Sequence, residues 1–307
     1  MLAGLMGMTS APTALTAFAA ARPELIALAY RMLGDLGRAE DLVQEAWLRW
    51  ERHSEGVESP KAYLVTMVTR LCLNELQSAK VQREHSRSDR LPEPVDVARS
   101  SLSELEHLEQ ISMAFLVMLQ RLSPAERAVL LLHDVFDFEH SEIADLIHKS
   151  TAACRKLLER ARTQVASTKR SLPTDRAEHL RLLRSFMDAA TLGDTRALVE
   201  MLADNAVMIT DGGEQGRTTN GVRNLPRPLE GAERIAAFVA HTTAKTAASL
   251  QIEDHELNGQ PGVVFKQAGQ PFAALLLEVD GGKIQRVYFH ADLSRLRHLG
   301  EPGLPGT

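Results

Sequence analysis

The segment from Leu122 to Arg162 constrains the fold most, because it encodes three short amphipathic helices joined by tight turns. Ser123-Pro124-Ala125-Glu126 places a capping serine, a proline at the first helical position and a glutamate that can reach back to the cap. A second helix is predicted from Glu139 to Ile147, followed by a turn at His148-Lys149 and a third helix beginning at Ser150. Two short helices joined by a tight turn are typical of a helix-turn-helix, whose second helix enters the major groove of DNA.

The predicted third helix concentrates positive charge in an acidic protein. The whole chain has a formal net charge of −5, yet Glu159 is the single acid between Lys149 and Arg170. The basic residues of this span are Lys149, Arg155, Lys156, Arg160, Arg162, Lys169 and Arg170. Neutralising DNA phosphates requires such a face, and Arg or Lys near the start of a recognition helix can also read guanine. The alternative interpretation is an ordinary solvated helix face.

Length and composition indicate a globular chain with more than one domain. The 307 residues suit two or three domains, and 44% hydrophobic with 24% charged residues supply a substantial core. Cys72 and Cys154 lie far apart on apolar helix faces, which favours buried free thiols in a reducing cytoplasm over a disulfide or a metal site. The apolar N-terminus lacks a basic leader, and no later apolar run approaches the about 18 residues of a membrane span. We therefore expect a cytoplasmic protein without cofactor, metal or membrane contact.

Helical spacing also runs through residues 13–83. Gly34 to Gly37 is predicted as a turn, and Glu40 to Arg52 as a second amphipathic helix. Ser59 is placed to cap a third helix that begins at Pro60. By itself this pattern predicts a helical bundle and says nothing of its purpose.

Two parts of the chain, in this order, resemble a known bacterial family. The sequence EDLVQEAW (Glu40–Trp47), followed by SPKAYLVTMVTRL (Ser59–Leu71), resembles region 2 of the extracytoplasmic-function (ECF) RNA polymerase sigma factors. Glu142-Ile143-Ala144 and the segment from Ser150 to Arg162 resemble region 4, the helix-turn-helix with which that family reads the promoter −35 element. The resemblance covers about the first 170 residues. It implies that the chain binds the clamp of core RNA polymerase and promoter DNA.

The resemblance implies roles for individual residues as well. Asp41, Gln44 and Glu45 match the segment that docks on the polymerase clamp helices, although acids in a first helical turn also complement the helix dipole. DNA contacts are implied for Arg70, Asn74, Lys149, Ser150, Thr151, Arg155, Lys156 and Arg160. The family often carries Asp and Arg where this chain has Asn74 and Gln77, so the resemblance does not identify which −10 sequence the chain reads.

A linker with two prolines separates the two regions. Leu91-Pro92-Glu93-Pro94 predicts a stiff, extended segment, because neither proline can donate a backbone hydrogen bond. Such a triplet usually serves as a spacer. A smaller group of these sigma factors, the SigJ-like group with a C-terminal SnoaL-like domain, characteristically carries WLPEP here. This chain matches in LPEP and has Arg90 in place of the tryptophan.

The remaining residues predict an α+β domain. Helices are expected over Arg176–Ala190, from Asp194 to Leu202 and over about Ala232–Lys245, followed by a meander of antiparallel strands with a hairpin at Asp280-Gly281-Gly282. This layout resembles the SnoaL-like (NTF2-like) fold, a curved sheet wrapped by helices around a pocket that offers room for a small ligand. Asp211-Gly212-Gly213 resembles the DGGGK motif of the same sigma-factor group.

Enzymes on this fold place acid and base side chains in the pocket. Asp211, His241, His255 and His290 are the candidates that the sequence offers, and each has a simpler interpretation as a turn or surface residue. Because fold does not determine function, we do not predict an enzyme.

The predicted architecture is multidomain: an all-α sigma region 2 bundle and a sigma region 4 helix-turn-helix, followed by an α+β SnoaL-like (NTF2-like) domain. The predicted boundaries are 1–87 for region 2, 88–111 for the linker, 112–170 for region 4, 176–298 for the C-terminal domain and 299–307 for a flexible tail. The predicted function is an ECF-type sigma factor that the C-terminal domain modulates through Leu91-Pro92-Glu93-Pro94 and Asp211-Gly212-Gly213. Two alternatives remain, a ligand-sensing helix-turn-helix regulator and a bifunctional protein with an enzyme domain.

Overall fold

A computed structural model describes residues 13–78, 90–103, 111–168, 175–213, 218–219, 222–246 and 250–300. The predicted basic residues Lys169 and Arg170 and the tail residues 301–307 lie outside this range. The helices are α1 Ala14–Leu33, α2 Leu36–His53, α3 Pro60–Gln77, α4 Met113–Arg121, α5 Pro124–Asp134, α6 His140–Leu146, α7 Thr151–Thr168, α8 Arg176–Leu192, α9 Thr195–Met201, α10 Ala232–Thr246 and α11 Leu293–Leu296. The strands are β1 Leu202–Asp211, β2 Thr218–Thr219, β3 Val222–Arg223, β4 Leu229–Glu230, β5 Gln251–Leu257, β6 Gln260–Gln267, β7 Gln270–Asp280 and β8 Lys283–His290. Within these ranges, no helix has the length and apolar character needed to cross a membrane.

Helices α1 to α3 form the predicted N-terminal bundle. Gly34 ends α1 in the left-handed conformation with φ 70°, and the Asp35 side chain then caps α2 by accepting from the Arg38 N–H at 2.9 Å. The second helix therefore begins at Leu36, and the prediction that it begins at Glu40 was wrong. The sequence pattern missed this first turn because its capping residue precedes the apolar spacing that marks the helix.

Helices α4 to α7 form the predicted helix-turn-helix unit. Ser123 and Glu126 make the reciprocal hydrogen bonds of a capping box at the start of α5, which confirms the sequence prediction. Asp137 and His148, at the two turns of the unit, adopt left-handed backbone conformations with φ 56° and 54°. Ser150 then accepts from the Ala153 N–H at 3.2 Å and so caps α7.

The N-terminal bundle and the helix-turn-helix unit share one hydrophobic core. The buried guanidinium of Arg127, on α5, donates to the Leu119 carbonyl oxygen at 2.9 Å and also to the carbonyl oxygen of Met32 on α1. Burial lowers the pKa of Arg127 to about 10. A guanidinium that satisfies backbone acceptors of both units ties them together, because separating them leaves the Met32 carbonyl without this donor.

The C-terminal domain is built on a six-stranded sheet in the order β4-β1-β8-β7-β6-β5. Strands β5 to β8 form the expected antiparallel meander, and left-handed Gly281 and Gly282 make the predicted hairpin turn. Strand β1, however, pairs parallel with β8, so the sheet is mixed rather than purely antiparallel. Helices α8, α9 and α10 pack on one face of this sheet. A sheet with helices packed on one face is the layout expected from the resemblance to the SnoaL-like (NTF2-like) fold.

The opposite face of the sheet packs against the linker and the helical units. Side chains of β6, β7 and β8 form a second cluster there with Leu91 of the linker, Met113 of α4 and Leu296 of α11. Successive side chains of a strand point to opposite faces of the sheet, and each face is covered by other elements. The central strands are therefore buried on both faces. This arrangement makes the sheet a wall between the interior of the C-terminal domain and the rest of the protein.

Candidate DNA-binding, polymerase-binding and interdomain sites

The predicted recognition helix α7 presents its basic residues to solvent. Lys149, Arg155, Lys156 and Arg160 are exposed, and Cys154, Leu157, Leu158 and Ala161 are buried on the opposite side. Ser150, exposed, and Thr151, half-buried, lie at the helix start, where a recognition helix approaches base edges. The helix thus separates an apolar face, packed on α5 and α6, from a cationic face that is free to meet phosphates.

Two arginines of α7 are held by acids of α5. Arg160 Nε lies 3.1 Å from Glu126 Oε1, and Arg162 Nη2 donates to Asp134 Oδ1 at 2.5 Å. The hydrogen bonds from Arg162 and His133 lower the pKa of Asp134, against the effect of its partial burial. These ion pairs orient α7 on α5, so Arg160 has a structural partner as well as an exposed position.

The residues predicted to bind polymerase occupy the outer face of α2. Asp41 and Gln44 are exposed, and Glu45 is half-buried and paired with Arg49 at 2.5 Å. On the inner side of α2, Val43, Ala46 and Trp50 are buried in the shared core. The C-terminal domain therefore leaves the exposed face of Asp41 and Gln44 uncovered.

Arg70 and Asn74 are exposed on α3, one helical turn apart. They share a face because residues four apart on a helix are neighbours. The predicted DNA-binding residues thus fall into two groups, one on α3 and one on α7, and these helices belong to two units that pack against one another.

The Leu91–Pro94 linker segment is clamped between the helical units and the C-terminal domain. The Leu91 N–H donates to Asp211 Oδ2 at 3.0 Å, and the Leu91 carbonyl accepts from the guanidinium of Arg295. A side chain at Gly213 would meet the Asp292 carboxylate at 3.0 to 3.2 Å, and its φ of +78° also favours glycine. The Asp211–Gly213 loop and the start of α11 are thereby held close together around the linker.

Glu93 is a second buried carboxylate of this junction, beside Asp211, and is only 2% exposed. Its Oε2 accepts from the Leu36 N–H at 2.6 Å, and its backbone N–H donates to the Gly34 carbonyl at 2.8 Å. Arg295 lies 3.7 Å from Asp35 on the same junction. Burial, reinforced by the nearby Asp35 carboxylate, raises the pKa of Glu93 to about 7.

Asn258 was missed by the sequence analysis and joins three parts of the chain. It occupies the turn between β5 and β6, is fully buried and has φ 52°. Its Nδ2 donates to the Tyr30 hydroxyl at 2.7 Å and to the Ile111 carbonyl at 3.1 Å. Its Oδ1 accepts from the Val95 N–H at 3.1 Å, and its own N–H donates to the Val95 carbonyl at 2.8 Å. The Asn258-Gly259 pair signals a hairpin in the sequence, but nothing local indicates these partners.

A cavity of about 110 Å³ lies on the helix-covered side of the sheet. The described residues that line it are apolar, threonine or asparagine, and none of them is Asp211, His241, His255 or His290. Asp211 and buried His290 belong to the opposite side of the sheet. His255 Nδ1 lies 3.1 Å from Asp96 Oδ2 of the linker, and His241 is exposed on α10. The four acid-base candidates therefore do not converge on the cavity.

Comparison with known proteins identifies both helical units. The models of Sigma-70 region 2 and Sigma-70, region 4 match residues 17–81 and 112–165. "Probable ECF RNA polymerase sigma factor SigI" of Mycobacterium tuberculosis is 31% identical over 287 residues, covering 92% of this chain and 94% of that protein. The ECF RNA polymerase sigma factor SigJ of the same organism is 33% identical over 278 residues, covering 86% and 87%. The crystal structure of M. tuberculosis SigJ has a TM-score of 0.70 at 26% identity, covering 92% of this chain and 98% of that chain.

Proposed function

Because the chain belongs to the ECF family of RNA polymerase sigma factors, we propose that it directs promoter-specific initiation from exposed surfaces that its C-terminal domain arranges. Helix α2, through Asp41, Gln44 and Glu45, would bind the clamp of core RNA polymerase. Helices α3 and α7 would contact the −10 and −35 elements of the promoter. The C-terminal domain would act as a built-in modulator of these contacts.

One observation supports the proposal that DNA binding is modulated. The two predicted DNA-binding units pack in a single core while their binding faces stay exposed. Promoter elements centred 10 and 35 base pairs upstream lie roughly 85 Å apart along a straight duplex, at 3.4 Å per base pair. Here α3 packs on α5 and α5 packs on α7, so at about 10 Å for each packed pair the two DNA-binding helices lie roughly 20 Å apart. We therefore propose that the described arrangement is a closed state and that binding both elements requires the units to separate.

The C-terminal domain favours this closed state through its contacts with the linker. Asp211 and Arg295 hold Leu91, and Asn258 holds Val95, so the linker that connects the two units is fixed at both places. A conformational equilibrium shifts only when one state makes contacts that the other lacks. Because these contacts belong to the closed state, weakening them is expected to release the units for promoter binding.

Asp211→Ala is expected to raise promoter output several-fold at equal protein level. The substitution leaves the Leu91 N–H without its carboxylate partner in the closed state, which costs about 1 to 3 kcal/mol. Asp204→Ala is the matched control, because Asp204 is exposed on the same strand β1. A reporter assay measures output, and Pro92→Ala/Pro94→Ala, which relaxes the linker, should act in the same direction. Output that stays at the level of Asp204→Ala would refute the modulation.

Arg155→Ala/Lys156→Ala is expected to reduce promoter-specific transcripts by tenfold or more, since each good contact to a base or phosphate is worth about 1 to 3 kcal/mol. The measurement is run-off transcription with core RNA polymerase on pooled genomic promoter fragments. Arg181→Ala/Arg196→Ala removes the same charge from exposed positions of the C-terminal domain and should leave output unchanged. The slope of the logarithm of the promoter-binding constant against the logarithm of salt concentration should also become shallower. The expected change is about one unit for each phosphate contact that the two substitutions remove.

The same assay separates the sigma-factor function from the alternative of a ligand-sensing regulator. A sigma factor gives specific transcripts only together with core polymerase. If the full chain shifts promoter DNA unaided and directs no initiation, the regulator interpretation replaces the proposed function. We do not propose an enzyme, because the described cavity-lining residues include no acid-base pair.

A further inference from the structure

The cavity of the C-terminal domain has the size and lining of a binding site for a small uncharged molecule. Its volume is about 110 Å³, and an engineered apolar cavity of roughly 150 Å³ in another protein stays dry and binds benzene. The described lining consists mainly of aromatic and aliphatic side chains, among them Phe186, Phe238, Phe265 and Phe289. No Asp, Glu, Lys, Arg or His is among these described residues, so a charged ligand would lose its hydration without compensation.

One polar group in this lining lacks a partner. The Nδ2 of Asn224 is buried and has no hydrogen-bond partner among the described residues. Thr210, which also lines the cavity, is already engaged, because its hydroxyl accepts from the Leu225 N–H at 2.8 Å. A buried amide N–H without an acceptor costs free energy, and a ligand that supplies the acceptor recovers it.

We propose that this cavity binds an uncharged, ring-sized apolar molecule with one hydrogen-bond acceptor, which Asn224 recognises, and that its occupancy stabilises the grip on the linker. The binding part stands on the cavity alone. The regulatory part rests on the proposed function, because it supposes that the linker contacts control promoter binding.

The two sites are connected by the alternation of side chains along the strands. On β1, Thr210 lines the cavity, and the next residue, Asp211, accepts from the Leu91 N–H on the other face. On β8, Phe289 lines the cavity and its neighbour Tyr288 packs in the cluster that contains Leu91. A ligand in the cavity therefore packs against the same segments of β1 and β8 whose opposite face contacts the linker, and it stabilises the position of those segments. A ligand that binds only the packed form stabilises that form.

The binding test uses the full chain and three probes of similar shape, measured by calorimetric titration. Acetophenone has a ring and an acceptor, ethylbenzene has the ring alone, and benzoate carries a charge. We expect acetophenone to bind about 3- to 10-fold more tightly than ethylbenzene, the value of one hydrogen bond, and benzoate to bind most weakly. Binding of benzoate above the other two, or no binding of any probe at millimolar concentration, would overturn the proposal.

Cavity variants locate the binding. Ala190→Leu fills the cavity from α8 and should abolish binding of acetophenone, whereas Ala177→Leu makes the same change at an exposed position of that helix and should not. If Ala190→Leu fails to fold, Asn224→Ala serves instead. Acetophenone affinity should then fall to that of ethylbenzene, with ethylbenzene affinity unchanged. Equal loss for both ligands would contradict a specific role of Asn224.

Hydrogen exchange of the Leu91 amide tests the connection to the linker. Saturating acetophenone should slow this exchange at least threefold in the wild-type chain and in Ala177→Leu. If acetophenone binds and the exchange rate of Leu91 does not change, the connection is refuted and only the binding site remains. None of these readouts involves transcription, so their failure leaves the proposed sigma-factor function intact, and failure of run-off transcription leaves the binding result intact.

Discussion

Asn258→Ala is expected to destabilise the closed arrangement by about 3 to 5 kcal/mol, more than any surface substitution in the C-terminal domain. The side chain is fully buried and donates to Tyr30 and Ile111 while accepting from Val95. Alanine removes all three hydrogen bonds, so the Val95 N–H and the Ile111 carbonyl lose these partners. The Tyr30 hydroxyl loses the Asn258 donor and keeps its hydrogen bond to the Glu93 carbonyl oxygen. The destabilisation is measured by urea denaturation of the full chain, and small-angle scattering should show a larger radius of gyration at low urea.

The hairpin between β6 and β7 provides the control for this substitution. Its turn carries Ala268-Gly269 in the same left-handed conformations, with φ 51° and 77°, and Ala268 is exposed. Asn258→Ala therefore creates a turn sequence that this sheet already accommodates, so backbone strain alone does not account for a large effect. Ala268→Asn should leave stability unchanged. A destabilisation below about 1 kcal/mol for Asn258→Ala, less than a single buried hydrogen bond is worth, would show that the turn does not hold the closed state.

The stability of the closed state is expected to fall as pH rises from 4.5 to about 7, because of Glu93. The pKa of this carboxyl is raised from 4.5 to about 7 by burial and by Asp35, against the opposing effect of Arg295 and Arg297. A group whose pKa is higher in the folded state contributes its full stabilisation below its unfolded pKa. That contribution is lost between pH 4.5 and 7, up to about 3 kcal/mol at about 1.4 kcal/mol per unit.

The measurement is the difference in unfolding free energy between the wild type and Glu93→Gln, followed from mildly acidic to mildly alkaline pH. Glutamine stays neutral and can still accept from the Leu36 N–H, so the wild type should lose stability relative to the variant as pH rises. Burial lowers the pKa of His290 to about 3, so this histidine reduces the stability of the folded state as pH falls, opposite to the effect of Glu93. Comparing wild type with Glu93→Gln cancels the contribution of His290, which is the same in both proteins. Glu58→Gln, at an exposed position, is the control. Parallel curves for wild type and Glu93→Gln would exclude the effect.

Local sequence signals determined the elements and the family. The capping box at Ser123 and Glu126 and the glycine pair at 281–282 each formed the predicted structure, because a cap or a turn depends on residues within a few positions. The EDLVQEAW segment and the recognition helix were sufficient to predict an ECF sigma factor, which the relatives confirm. The individual polymerase and DNA contacts remain predictions.

Tertiary structure alone decided which surfaces meet. The parallel pairing of β1 with β8 and the hydrogen bonds of Asn258 to Tyr30, Ile111 and Val95 join residues far apart in the chain, and strand alternation does not tell which partner each face covers. The two prolines of Leu91–Pro94 by themselves indicate a spacer, yet the segment is buried because Asp211 and Arg295 supply partners to the Leu91 backbone and Gly34 supplies one to the Glu93 N–H. The sequence thus determined the helices and the turns, whereas long-range packing determined the junction through which the C-terminal domain can control them.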